Sequence, residues 1–204
     1  SKNASLPILA ATLLSNKKIS LANLPRVKDV ETMIKLLESM GSKVEISKNK
    51  NSLVIKNDKK IKTEASYNLM STMRAGIIVL GPLLARFGKA RVSSPGGCNI
   101  GFRPIDIHLE ALKKMGVKYK IIDGYINANA KNGLVGAKIK FPKISVGATE
   151  NLMIAACLAK GQTVLSNCAI EPEIKDLSNF LCSIGAKIVW TGRRQVKIIG
   201  VKTF

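Results

Sequence analysis

The segment Val30-Glu31-Thr32-Met33-Ile34-Lys35-Leu36-Leu37-Glu38-Ser39-Met40-Gly41-Ser42-Lys43-Val44 occurs in three versions along the chain. The second runs from Ile105 through Met115-Gly116-Val117-Lys118-Tyr119, the third from Ile174 through Ile184-Gly185-Ala186-Lys187-Ile188. Counting back from each glycine, the residues one, four and eleven places earlier are apolar. They are Met40, Leu37 and Val30, then Met115, Leu112 and Ile105, then Ile184, Leu181 and Ile174. Those offsets fall on one face of an α-helix. The glycine suits a left-handed cap, which a residue without Cβ adopts at no steric cost. Lysine recurs two residues later, and a strand-like run follows at 44–46, 119–122 and 188–190.

Working outward, each version is preceded by a stretch rich in small and apolar residues, at 6–14, 70–84 and 148–158. These read as helices buried between sheets. Each leads to a short strand such as 18–22 or 163–166. The order is strand, helix, strand, helix, strand, strand. The expected fold is α/β, with three repeated βαβαββ-type units packed with their helices inward. Residues 1–204 are read as a single domain of three units, at about 1–66, 67–136 and 137–204. Asp29, Asp106 and Asp176 recur near the heads of the three glycine-capped helices, where a carboxylate favours the helix dipole.

Lysine and arginine number 33 against 13 acidic residues, a formal charge of +20 over 204 residues. Nucleic acid is the obvious partner for such a charge, but the lysines scatter and the chain has few aromatics for base stacking. No nucleic-acid module is recognisable, so a lysine-rich solvated surface is expected, one that also favours small anionic substrates. The longest apolar run, 75–85, is too short to span a bilayer, and no membrane insertion is expected. The chain opens with Ser1-Lys2-Asn3, without a secretory signal or a start methionine, as a piece of a longer protein would. Cys98, Cys157, Cys168 and Cys182 have no metal-ligand spacing, and His108 is the only histidine, so no metal or cofactor is expected. Cys157 and Cys182 read as buried thiols, and Cys168 as structural.

Ser93-Ser94-Pro95-Gly96-Gly97-Cys98-Asn99-Ile100-Gly101-Phe102-Arg103-Pro104 stands apart as an insertion in the second unit. Its glycines and proline allow a turn-rich loop to approach a ligand closely. Cys98 lies five residues before Arg103, where a cation lowers a thiol pKa. Such a thiol serves as nucleophile or proton donor, although an ordinary loop cysteine fits the residues equally.

The run from Pro95 to Pro104, followed by Asp106 and His108, resembles the active-site loop of the bacterial UDP-N-acetylglucosamine enolpyruvyl transferases. Four further stretches resemble the same family: Lys2-Asn3-Ala4, Thr72-Met73-Arg74-Ala75, Lys143-Ile144-Ser145-Val146-Gly147-Ala148-Thr149, and Glu171-Pro172-Glu173-Ile174 with Asp176. The resemblance implies transfer of the enolpyruvyl group of phosphoenolpyruvate to the 3'-hydroxyl of UDP-N-acetylglucosamine. It also implies release of phosphate, in the first committed step of peptidoglycan synthesis, in the cytoplasm. By resemblance Cys98 is the catalytic cysteine and the target of fosfomycin. Lys2, Asn3 and Arg103 contact phosphoenolpyruvate. Arg74, Arg103, Pro104, Ile105, Asp106, Ile107, Lys143, Ile144, Ser145 and Val146 hold the UDP-sugar. The family's proteins are about twice as long, with substrates between two similar domains, so a second domain is the expected partner and this chain alone is expected to have little activity.

Each residue also has a structural role open to it. Lys2 stands at the chain start, and Arg74 can lie on a surface with its stem against apolar neighbours. Asp106 suits helix stabilisation, and His108 packing or hydrogen bonding. Glu171 and Glu173 carry no assigned chemistry. The alternatives to the acceptor reading are a 3-phosphoshikimate enolpyruvyl transferase, which lacks the Gly-Gly-Cys loop, and a non-catalytic basic binding protein of the same fold.

Overall fold

Gly41, Gly116 and Gly185 close three helices in one way: α2 (Lys28–Met40), α5 (Ile105–Lys114) and α7 (Pro172–Ser183). The computed structural model describes residues 1–94 and 105–204, the side chain of Arg74 excepted. The three glycines have φ of 108°, 95° and 114°. The next N–H reaches back five positions to a leucine carbonyl each time. Ser42 bonds Leu37, Val117 bonds Leu112 and Ala186 bonds Leu181, at 3.0, 3.2 and 2.9 Å. These bonds satisfy carbonyls left over at a helix end. The same leucines bury their side chains in the core.

A hairpin follows each of these helices: β2 (Lys43–Ile46) with β3 (Leu53–Lys56), β6 (Lys118–Ile122) with β7 (Tyr125–Asn129), and β10 (Lys187–Gly192) with β11 (Gln195–Ile199). The hairpin's second strand pairs antiparallel with the strand before the helix, which is β1 (Ile19–Leu21), β5 (Lys89–Ser93) or β9 (Gln162–Ser166). Two leading strands, β4 (Glu64–Ala65) and β8 (Lys138–Lys140), add parallel to β5 and β9. The sheet orders β4-β5-β7-β6 and β8-β9-β11-β10 are the same, and the first unit has the shorter version β1-β3-β2. The repeated βαβαββ unit is present, three-stranded in its first copy.

The helices of the small, apolar stretches fill the interior. They are α1 (Lys2–Ala11, continued by a 3-10 turn Thr12–Leu14), α4 (Leu80–Phe87) and α6 (Val146–Ala156). From Ala148 to Ala156 every residue of α6 is buried. α4 packs on α6, and α1 on both α6 and α7. The strands alternate buried with exposed or partly exposed residues, so the sheets form the outside with one face inward. Arg86 ties the first two units together, donating to the carbonyls of Leu13 and Asn57, both at 2.9 Å.

Three expectations are corrected. The single helix expected over 70–84 is broken into α3 (Tyr67–Met70), an extended Met73 (φ −141°, ψ 113°), a 3-10 segment Arg74–Val79 and α4. Close packing accompanies the break: a Cβ at Gly76 would overlap the Met70 side chain, and one at Gly81 would lie 2.5 Å from the Asn151 carbonyl oxygen. Pro82 also has no N–H for the Ile78 carbonyl. Asp176 is not at a helix head, because Pro172 starts α7 earlier and Glu173 is its first-turn acid. Cys182 is exposed, since its neighbour Leu181 takes the buried face of α7, whereas Cys157 and Cys168 are buried.

Candidate functional site

Helix starts meet in two groups, those of α1 and α2 and those of α5, α6 and α7, and the body of α7 lies against α1. Lys2 opens α1, and its Nζ lies 2.6 Å from the carboxylate of Asp29 in the first turn of α2. Ser1, Ala4 and Ser5 share a groove of about 310 Å³ with Asp176, Asn179 and Phe180 of α7. His108 of α5 lies against Gly147 in the first turn of α6, where a Cβ would sit 3.3 Å from the imidazole. The Ala169 N–H, just ahead of α7, donates to Thr149 Oγ1 of α6 at 3.0 Å. A helix N-terminus carries about half a positive charge and unpaired N–H groups. Several brought together form an anion-binding surface even before any side chain is counted.

Most of the described residues singled out from the sequence lie at these helix starts. Lys2 and Asn3 are the first residues of α1 and both are exposed. Ile105, Asp106 and Ile107 open α5; the two isoleucines are buried, so the segment offers a ligand its backbone and the exposed Asp106. Lys143 and Ile144 are exposed and lead into Ser145, whose Oγ caps α6 by accepting from the Ala148 N–H at 3.2 Å. Val146 is the first residue of α6 and is half-buried. Arg74 begins the 3-10 segment. Cys98, Arg103 and Pro104 lie outside the described residues.

One feature of these helix starts was not legible in the sequence. The Lys2–Asp29 pair joins residues far apart in the chain, and no local pattern signals it. His108 is buried and hydrogen-bonded through Nδ1 to Asn151 Nδ2 at 3.0 Å. Burial lowers its pKa to about 4, so the imidazole is neutral at pH 7. Glu150 of α6 is also buried, and burial first, then Glu173 and Glu171, raises its pKa to about 8. Among the described residues no group of three or more His, Cys, Asp or Glu could hold a metal ion, and no helix is long and apolar enough to cross a membrane.

Residues 1–203 match the family model of EPSP synthase (3-phosphoshikimate 1-carboxyvinyltransferase). The chain belongs to the EPSP synthase family. Within it, the chain is similar to proteins named for a different acceptor, as its sequence motifs suggested. The UDP-N-acetylglucosamine 1-carboxyvinyltransferase of Pelagibacter ubique (strain HTCC1062) is 74% identical over 201 residues, 98% of this chain and 48% of that protein. The protein of the same name from Saccharophagus degradans is 51% identical over 203 residues, 100% of this chain and 48% of that protein. The chain thus spans about half the length of the curated relatives it matches. Among solved structures, the enolpyruvyl transferase NikO from Streptomyces tendae has a TM-score of 0.85 at 18% identity, over 98% of this chain and 46% of that one. At that identity the likeness concerns the fold alone, which is the inward-helix α/β arrangement of the EPSP synthase family.

Proposed function

We propose that this chain is one domain of an enzyme that transfers the enolpyruvyl group of phosphoenolpyruvate to the 3'-hydroxyl of UDP-N-acetylglucosamine, releasing phosphate. The observation that carries the reading is 74% identity, across 98% of the chain, to a protein named for that transfer. The clustered helix starts support it, since both substrates are anionic. In a peptidoglycan pathway this chemistry belongs in the cytoplasm, and the cysteine makes the enzyme a fosfomycin target. The 3-phosphoshikimate acceptor is the second reading, favoured by the description of the family model. Relatives at 74% and 51% identity that are named for the sugar nucleotide outweigh it.

In this reading Cys98 delivers a proton to the methylene carbon of phosphoenolpyruvate as the sugar hydroxyl oxygen bonds to the neighbouring carbon. The hydroxyl proton leaves to a base, giving a tetrahedral adduct. Loss of phosphate, with a proton taken back from the new methyl group, restores the double bond and leaves the enol ether. Lys2, Asn3 and Arg103 hold phosphoenolpyruvate. Arg74 and the segments 103–107 and 143–146 hold the UDP-sugar, through backbone N–H groups at the starts of α5 and α6 as well as side chains. Charge developing on phosphate is met by fixed dipoles and cations. The Lys2 ammonium is already paired with Asp29, so that pair positions it before the substrate arrives.

The test is phosphate release by the full-length parent protein with both substrates, beside a Cys98→Ala variant. Release that requires both substrates and collapses in the variant is the expected result. Release with shikimate 3-phosphate in place of the sugar nucleotide would move the assignment to the second reading.

A further inference from the structure

Asn151 is fully buried in α6, and its carboxamide reaches two other segments. Its Oδ1 accepts from the Gly81 N–H at 2.7 Å, and its Nδ2 donates to the Ile77 carbonyl at 3.2 Å. Residues 77 and 81 are the two that an unbroken α-helix would bond to each other. A side chain from α6 therefore stands in for one rung of the ladder, where the 3-10 segment Arg74–Val79 meets α4. Insertion of this kind is a known cause of helix irregularity.

The remaining Nδ2 hydrogen reaches Nδ1 of His108. With Oδ1 committed to a backbone donor, the amide cannot be turned round without losing that bond. Nδ1 of His108 must then accept, and the imidazole proton sits on Nε2. A Cβ at Gly147 would lie 3.4 Å from that Nε2, so the ring stands beside the turn that follows Ser145 and Val146.

We propose that Asn151 is the positioning residue for the nucleotide-sugar part of the site. One carboxamide sets the segment that begins at Arg74, fixes the His108 tautomer in α5, and does so from α6, which starts at Val146. The inference rests on the reading of Arg74, 105–107 and 143–146 as the UDP-sugar segments. It assigns Asn151 no contact with substrate.

The test uses the full-length parent with Asn151→Asp and Asn151→Leu. Ionised aspartate keeps the shape and the bond from Gly81, but donates neither to Ile77 nor to His108. Nitrogen-15 spectra of histidine-labelled protein, with the His108 signal assigned by its loss in His108→Gln, report which ring nitrogen carries the proton. Expected in the parent is a protonated Nε2 and a bare Nδ1. In Asn151→Asp the proton should move to Nδ1, facing the carboxylate. The KM for UDP-N-acetylglucosamine should rise about tenfold, the scale of a lost hydrogen bond, and by more than the KM for phosphoenolpyruvate. Asn151→Leu should show the same split between the two substrates, and if it does not fold, Asn151→Asp decides.

An unchanged His108 tautomer in Asn151→Asp overturns the inference, as does an equal loss for both substrates. A parent that ignores UDP-N-acetylglucosamine would sink the acceptor assignment, and the positioning role with it. The tautomer measurement would then still report on the hydrogen bond itself.

Discussion

Glu150 and His108 are buried ionisable residues close to the site, and their linkage to pH runs in opposite directions. Glu150 is 7% exposed and makes no ion pair among the described residues. Its folded pKa of about 8 lies above the ordinary 4.5, so the folded protein holds the proton more tightly than the unfolded chain does. The resulting stability is full below about pH 4.5 and is lost as pH rises through about 8. Glu150→Gln should therefore stabilise the protein at pH 9 by roughly 1–3 kcal/mol, part of the free energy that a shift of this size represents. At pH 5 it should change little. Urea unfolding at the two pH values checks this, and equal effects at both would remove Glu150 as the cause. His108, lowered to about 4, contributes stability that is present above its ordinary 6.5 and lost as pH falls through 4. Acid unfolding should accordingly begin earlier in the parent than in His108→Gln, and unfolding curves between pH 4 and 6 measure the difference.

At the scale of elements, the crossing of α4 and α6 depends on a missing side chain. Gly81 lies so close to Asn151 that any Cβ would overlap it. Gly81→Ala should destabilise by about 1–3 kcal/mol, as overpacking does, although alanine is the better helix former by about 1 kcal/mol. A melting temperature at or above the parent's would show that the helices can move apart freely. The same crossing marks the limit of what could be read beforehand. Val30, Leu37, Met40 and Gly41, with their two repeats, predicted α2, α5 and α7 because helix periodicity and a glycine cap are local. The first strand after each was legible for the same reason. The break at 71–79 was not, since it answers to a side chain some seventy residues away. Nor was the Lys2–Asp29 pair, whose partners meet only when α1 and α2 are docked. At the candidate site the residue types at the helix starts were legible, but not the Asn151 carboxamide that joins three of those segments.

For the whole molecule, the governing facts are the clustered helix starts and a chain about half as long as its relatives. The three units share one core that includes buried residues from Leu6 to Phe204, so the 204-residue chain has what it needs to fold. Folding is not turnover, however. On the proposed function, the helix starts of this chain alone would meet phosphoenolpyruvate and the UDP-sugar without the groups of the remaining half, leaving part of both substrates in water. There the Coulomb terms are weak and the substrates keep their freedom of orientation. Losing even one fixed donor to developing charge costs an enzyme about a hundredfold or more in rate. The isolated chain should therefore unfold cooperatively on heating yet release phosphate at least about a hundredfold more slowly than the full-length parent. Calorimetry and a phosphate assay on the two proteins side by side test both halves of the statement. Comparable rates would mean that these 204 residues enclose the chemistry alone, and the second domain would then lose its place in the mechanism.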